Sequence, residues 1–224
     1  MSDLIPLFPL PNVVLFPNVF LPLHIFEPRY REMVADVLDD DRIIGMVLLK
    51  PGWQDDYEGR PAVYPIGCSG LITHVERLPD GRYNVVLRGV ERFRIVQEDH
   101  SRSYRRALVD PIVEEHQKPD DRAIIRHQRA KLEAILAPVF ERGLRLGQSP
   151  TAQSSGTSSD PRIPAAMPDA DLINALAQYL DLEPLEKQAL LEQCGLRARA
   201  ESLVELLEMK MMMARTPGHS NVAH

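Results

Sequence analysis

The first 22 residues carry five prolines, Pro6, Pro9, Pro11, Pro17 and Pro22, set among positions that are nearly all apolar. Proline holds φ near about −65° and has no N–H to donate, so a long helix or a regular central strand is excluded through this stretch. Yet Leu4, Leu7, Leu10, Val13, Val14, Leu15, Phe16, Val19 and Leu21 require burial. The opening is therefore expected to form short, irregular strands laid onto a core.

The next signals are local and of mixed type. Tyr30, Met33, Val34, Val37 and Leu38 recur at helical spacing, Pro28 suits the first helical position, and Asp39-Asp40-Asp41 closes the segment, so a helix is expected over Pro28 to Asp39. Ile43 to Leu49 reads as a buried strand, and Lys50 to Arg60 as a loop. Gly70 to Leu78 and Arg82 to Arg88 flank Pro79-Asp80-Gly81, a hairpin signal. Arg92 to Val96 and Arg105 to Val113 read as two further strands. About six strands with one helix predict a closed or nearly closed barrel.

From Pro119 the period becomes helical. Asp120 and Asp121 suit a helix start. Ile124, Ile125, Leu132, Ile135, Leu136, Val139 and Phe140 give an apolar face that Pro138 is expected to kink or restart. Segments 169–182, 183–193 and 197–215 read as three more helices, with Gly195 placed as a C-cap. The expected division is 1–116 for the strand-rich part and 117–215 for a helical bundle, with a polar linker at 147–166 and a tail at 216–224. The class is α+β.

The formal net charge is −6, which disfavours non-specific binding to nucleic acid. No apolar run approaches the roughly 20 residues needed to span a bilayer, and Met1 to Leu4 does not begin a signal peptide. Two distant cysteines, Cys68 and Cys194, agree with reduced thiols and a cytoplasmic setting. No glycine precedes a lysine, so the phosphate-cradling loop Gly-x-x-x-x-Gly-Lys-Ser/Thr is absent.

Four motifs in order carry a resemblance. Pro6-Leu7-Phe8-Pro9-Leu10, Val13-Val14-Leu15-Phe16-Pro17 and Leu21-Pro22-Leu23-His24-Ile25-Phe26-Glu27-Pro28-Arg29-Tyr30 resemble the opening of the substrate-binding N-terminal domain of the Lon protease family. Gly67-Cys68-Ser69-Gly70-Leu71-Ile72 with Leu78-Pro79-Asp80-Gly81-Arg82-Tyr83 resembles its central hairpin. Gly89-Val90-Glu91-Arg92-Phe93-Arg94-Ile95 resembles the strand after it, and 181–192 a helical segment of small stand-alone bacterial members. The resemblance implies a PUA-like six-stranded β-barrel with one helix, then a helical bundle. It implies recognition of unfolded or client polypeptides, with a proteolytic or chaperone partner, and neither the ATPase nor the Ser-Lys peptidase of full Lon. No cofactor, metal or catalytic role is expected.

Candidate peptide-binding residues are Trp53 and Tyr57, aromatics on a loop, with Tyr64, Phe26 and Arg29. The bland alternative for Trp53 is a loop packed back on the barrel. Cys68 in Gly-Cys-Ser-Gly offers a nucleophile only if a base stands beside it; otherwise it is a small buried residue. His24 and Glu27 make a His-x-x-Glu pair without a second ligand cluster. Met209, Met211, Met212 and Met213 cannot share one helix face, so part core and part fraying end is expected. Arg88, Arg92, Arg94, Arg102, Arg105 and Arg106 form a basic stretch, so an RNA-binding PUA-like module is one alternative. A hydrolase or a small-ligand binder is the other.

Overall fold

The computed structural model describes residues 3–56, 59–114, 118–146 and 167–215. Tyr57, the expected linker and the expected tail lie outside them. Contacts group the chain into two units, residues 1–115 with 170–193, and residues 116–169 with 194–224.

The first unit is built on a mixed six-stranded sheet of strands β1 (Asp3–Leu10), β2 (Phe20–Ile25), β3 (Ile43–Leu48), β4 (Ile66–Arg77), β5 (Tyr83–Asp99) and β6 (Arg106–Ile112), in the order β2-β5-β4-β3-β1-β6. A further β5–β6 pairing joins the far end back to β5. The pairings thus run in a circuit through five strands, β5-β4-β3-β1-β6, and β2 stands outside it. The expectation of six strands in one barrel is corrected to that extent.

The proline-rich opening is more regular than expected, because β1 changes partner midway. Asp3 to Pro6 pair antiparallel with β6, and Leu7 to Leu10 pair parallel with β3. With a named partner on only one side at a time, a strand can hold Pro6 and Pro9 without a full ladder on both edges.

Two expected strands, Arg82 to Arg88 and Arg92 to Val96, are one. β5 is 17 residues long, pairs along β4, meets β2 through Tyr83 to Arg88 and meets β6 through Arg92 to Asp99. Gly89 lies between these two stretches. A Cβ there would fall 2.0 Å from the Phe16 carbonyl oxygen, so only glycine lets the irregular Phe16–Val19 segment approach. That segment bonds to it directly: Gly89 N–H donates to Val19 O (2.8 Å) and Asn18 N–H to Gly89 O (2.9 Å).

Helix α1 (Pro28–Leu38) buries Tyr30, Met33, Val34 and Val37, the stripe read from spacing. The β4–β5 turn holds Gly81 at φ +82, with Gly81 N–H on Leu78 O and Leu78 N–H on Arg82 O. One core cluster gathers Leu7, Val47, Leu49, Phe93, Ala107 and Val109.

Helices α3 (Asp169–Tyr179) and α4 (Pro184–Glu192) do not join the helical part as the division at 116 supposed. Residues 170–193 group with the sheet, and their amide side chains complete its backbone bonding. Gln178 Oε1 accepts from Phe16 N–H (3.2 Å), Asn174 Nδ2 donates to Pro17 O (3.1 Å), and Gln188 Nε2 donates to Ile66 O (2.9 Å). Buried Arg92 on β5 donates to Leu191 O (2.8 Å) and Gln193 O (2.7 Å), the carbonyls at the end of α4, and pairs with Glu114 (3.0 Å). A guanidinium there meets the negative end of the helix and its unpaired acceptors together.

In the second unit, α2 (Pro119–Leu146) packs on α5 (Gly195–Arg215), and Arg197 pairs with Asp121 at 3.1 Å. α2 continues through Pro138 as one helix, so the helix does not restart there. Gly195 takes φ +86 at the first residue of α5. Met209, Met212 and Met213 are exposed.

Candidate functional site

The first unit offers two features: aromatic side chains exposed around β2, and a cleft lined by arginines.

Among the described residues β2 pairs only with β5, so one of its edges carries no strand. Phe20, at its start, is 50% exposed, and Phe26, just past its end, is 60% exposed. Tyr179, at the end of α3, is 67% exposed and donates its hydroxyl to Phe20 O (2.9 Å). The His24 ring stacks against Phe26 with centroids 6.3 Å apart. His24 is itself fixed, with Nδ1 on Asn84 Oδ1 (2.7 Å) and Nε2 accepting from Arg82 (3.1 Å). Large rings left in water beside an open strand edge are a surface suited to apolar contact. Pro22, in the middle of β2, supplies no N–H and so limits how far another strand could extend the sheet there.

The cleft has a volume of about 210 Å³ and is lined by Pro9, Leu49 and Pro61 together with Arg29, Arg60 and Arg105. Tyr30, Ser103 and Tyr104 also line it. Arg29 is half-buried, pairs with Glu27 (2.9 Å) and lies 4.8 Å over the Tyr30 ring. Arg60 donates to Arg102 O (3.1 Å) and also meets His100 Nδ1. Arg105 is buried; it pairs with Glu98 (3.3 Å) and donates to Pro61 O (2.9 Å). Burial, and then the neighbouring Arg60 and Arg29 charges, hold its pKa below the ordinary arginine value, against the attraction of Glu98. Tyr104 donates to Asp36 (2.7 Å); burial first, and that bond second, push its phenol up to about 12.

Of the residues singled out from the sequence, Arg29 lines the cleft and Phe26 belongs to the exposed aromatics. Trp53, in the 3-10 turn Trp53–Asp56, is half-buried and packs on the core cluster. Tyr64 is half-buried under Lys50, whose Nζ is 5.7 Å from the ring centroid. Trp53, Tyr64 and Phe26 are not among the cleft-lining residues. Sequence reasoning missed Arg60 and Tyr104, and it missed Phe20 and Tyr179. An aromatic at each end of the segment 20–26 was the available signal for part of the second pair.

The basic stretch does not form one free patch. Arg92 and Arg105 are buried, Arg106 pairs with Asp99, Arg102 with Asp36 (3.6 Å), and Arg88 donates to Asn18 (3.2 Å). Cys68 is buried in β4 opposite Met46 and Arg92, and its thiol donates to Ser69 O (3.4 Å). Among the described residues no helix is long and apolar enough to cross a membrane.

Comparison with known proteins gives the family. A family model for the ATP-dependent protease La (LON) substrate-binding domain matches residues 4–209. The Lon protease of Flavobacterium johnsoniae is 28% identical over 208 residues, covering 92% of this chain and 24% of that protein. Lon protease 2 of Myxococcus xanthus is 28% identical over 208 residues, covering 93% and 24%. The chain thus spans about a quarter of the length of these curated relatives. The N-terminal domain of a Mycobacterium avium complex Lon protease superposes with a TM-score of 0.64 at 15% identity, covering 92% of this chain and 98% of that one. A Lon N-terminal domain protein from Xanthomonas campestris superposes with a TM-score of 0.54 at 22% identity, covering 96% and 99%.

Proposed function

This chain belongs to the ATP-dependent protease La (LON) substrate-binding domain family, and we propose that it binds apolar segments of unfolded polypeptides without chemically altering them. The observation that carries the reading is the group of exposed rings Phe20, Phe26 and Tyr179 around the open edge of β2. Such rings are the side chains that dominate recognition energetics, because each removes a large apolar area from water at little cost in rotamer entropy. Burial returns about 25 cal/mol per Å², much of it offset by ordering a flexible partner, so binding is weak and dissociation rapid.

The reading separates cleanly from nucleic-acid binding. Apolar association tolerates salt, whereas phosphate neutralisation by Lys and Arg weakens steeply as salt rises. The burial of Arg92 and Arg105 and the pairing of Arg102 and Arg106 also count against the RNA reading.

The test is fluorescence anisotropy of a labelled, permanently unfolded, apolar-rich polypeptide titrated at low and high salt. Saturable binding that persists at high salt is expected. Phe26→Ala is expected to weaken it about tenfold, the loss of an aromatic anchor of about 1–2 kcal/mol. The melting temperature should not change, because Phe26 is exposed. Unchanged affinity in Phe26→Ala, Phe20→Ala and Tyr179→Ala alike would remove this surface from the proposal.

A further inference from the structure

We propose that the cleft beneath α1 is a carboxylate subsite, in which Arg29, Arg60 and Arg105 receive an anionic group while Pro9, Leu49 and Pro61 contact the carbon skeleton next to it. The proposal rests on the polypeptide-binding reading for its biological ligand, and on the cleft alone for its chemistry.

Three observations carry it. The cleft brings together three guanidinium groups, and no aspartate or glutamate is among its described lining residues. Glu27 pairs with Arg29 and Glu98 with Arg105, and a further anion held between the guanidinium groups would draw on all three. Arg105 is only 6% exposed, and its Nη1 is buried with no hydrogen-bond partner among the described residues. A buried donor left unmade is costly, and buried polar groups are almost always satisfied, so the Arg105 guanidinium would gain from a further acceptor. Burial is the main cause that lowers the Arg105 pKa, as for a guanidinium held out of water.

A carboxylate suits this lining. It is planar and accepts paired N–H donors from a guanidinium. At about 210 Å³ the cleft has room for the carboxylate and one short side chain against its apolar wall. Two sources present that group on a polypeptide: the chain-terminal α-carboxylate and the side chain of Asp or Glu. Four nearby acids among the described residues are already engaged. Glu27 holds Arg29, Glu98 holds Arg105, Glu32 accepts from Ser103 (2.6 Å) and Asp36 accepts from Tyr104. The first two pairs fix Arg29 and Arg105 in place.

The experiment uses the full chain and small probes, so it does not depend on polypeptide binding. N-acetyl-leucine is titrated while the arginine Nε–Hε resonances are followed by NMR, with N-acetyl-leucine amide as the uncharged control. Saturable shifts of Arg29, Arg60 or Arg105 resonances with the acid and none with the amide are expected. Arg29→Gln should weaken the acid about tenfold, the loss of one charge-assisted bond. Its side chain is 22% exposed, so the fold should survive, which circular dichroism checks. Repeating the titration with N-acetyl-aspartate α-amide separates the sources: tighter binding of N-acetyl-leucine assigns the site to chain ends, and tighter binding of the aspartate derivative assigns it to acidic side chains. Equal shifts with acid and amide, no shifts with any carboxylate, or tighter binding of inorganic phosphate than of either acid would overturn the proposal. An unfolded polypeptide that binds without a saturable carboxylate response would overturn the subsite and leave the function above standing.

Discussion

Two amides settle the backbone of a segment that no strand can satisfy. The stretch from Pro11 to Val19 contains two prolines and belongs to no strand. Its buried polar groups reach side chains instead: Gln178 serves Phe16 N–H, and Asn174 serves Pro17 O. Both are polar residues of α3 with under a tenth of their surface exposed, which would be anomalous without such partners. Gln178→Leu keeps the size and deletes the acceptor. It should destabilise the protein by about 1–3 kcal/mol, the cost of an unpaired buried donor. Urea unfolding checks this, and a loss below the error of the fit would show that Phe16 N–H finds another partner.

At the scale of elements, β5 governs the sheet. It touches β2, β4 and β6, and so joins the five-strand circuit to the strand outside it. Its length makes Gly89 critical, because the strand must pass directly against the Phe16–Val19 segment. Gly89→Ala would put a methyl 2.0 Å from the Phe16 carbonyl oxygen and force backbone to move. A destabilisation of about 1–3 kcal/mol or more is expected for such overpacking. Hydrogen exchange should place the loss locally, with faster exchange at Asn18 and Gly89, the donors of the two bonds across this contact. Uniform acceleration across the sheet, or none, would contradict a local contact.

Across the whole molecule, the chain leaves the sheet after β6, builds α2, returns through α3 and α4 to complete the sheet unit, and leaves again for α5. Neither unit is one continuous segment. A fragment ending at residue 116 therefore lacks the helices that cap Arg92, Phe16, Pro17 and Ile66. With several buried bonds broken at once, it should be less stable than the full chain by about 3 kcal/mol or more. Thermal and urea unfolding of the two would show this. Equal stability would mean that α3 and α4 are accessories to the sheet and not part of it.

Local chemistry was enough for part of this protein. The apolar stripe and Pro28 located α1 to within a residue, Asp80-Gly81 located the β4–β5 turn, and the change of period near residue 119 located the helical part. Each of these signals acts over a few residues, so the sequence contains both halves of the interaction. Four ordered motifs likewise led to the Lon N-terminal family, which the match over residues 4–209 shows. The rest depended on partners far apart in the chain. Nothing local told β5 to continue through Gly89, α3 and α4 to join the sheet, or Trp53 to pack on the core cluster. Arg29, Arg60 and Arg105 come from three separate segments, and although Arg29 and Arg105 drew notice in the sequence, nothing there brings the three together. Their shared cleft, and the unmet donor within it, exist only because folding buries charge where the sequence shows only its sign.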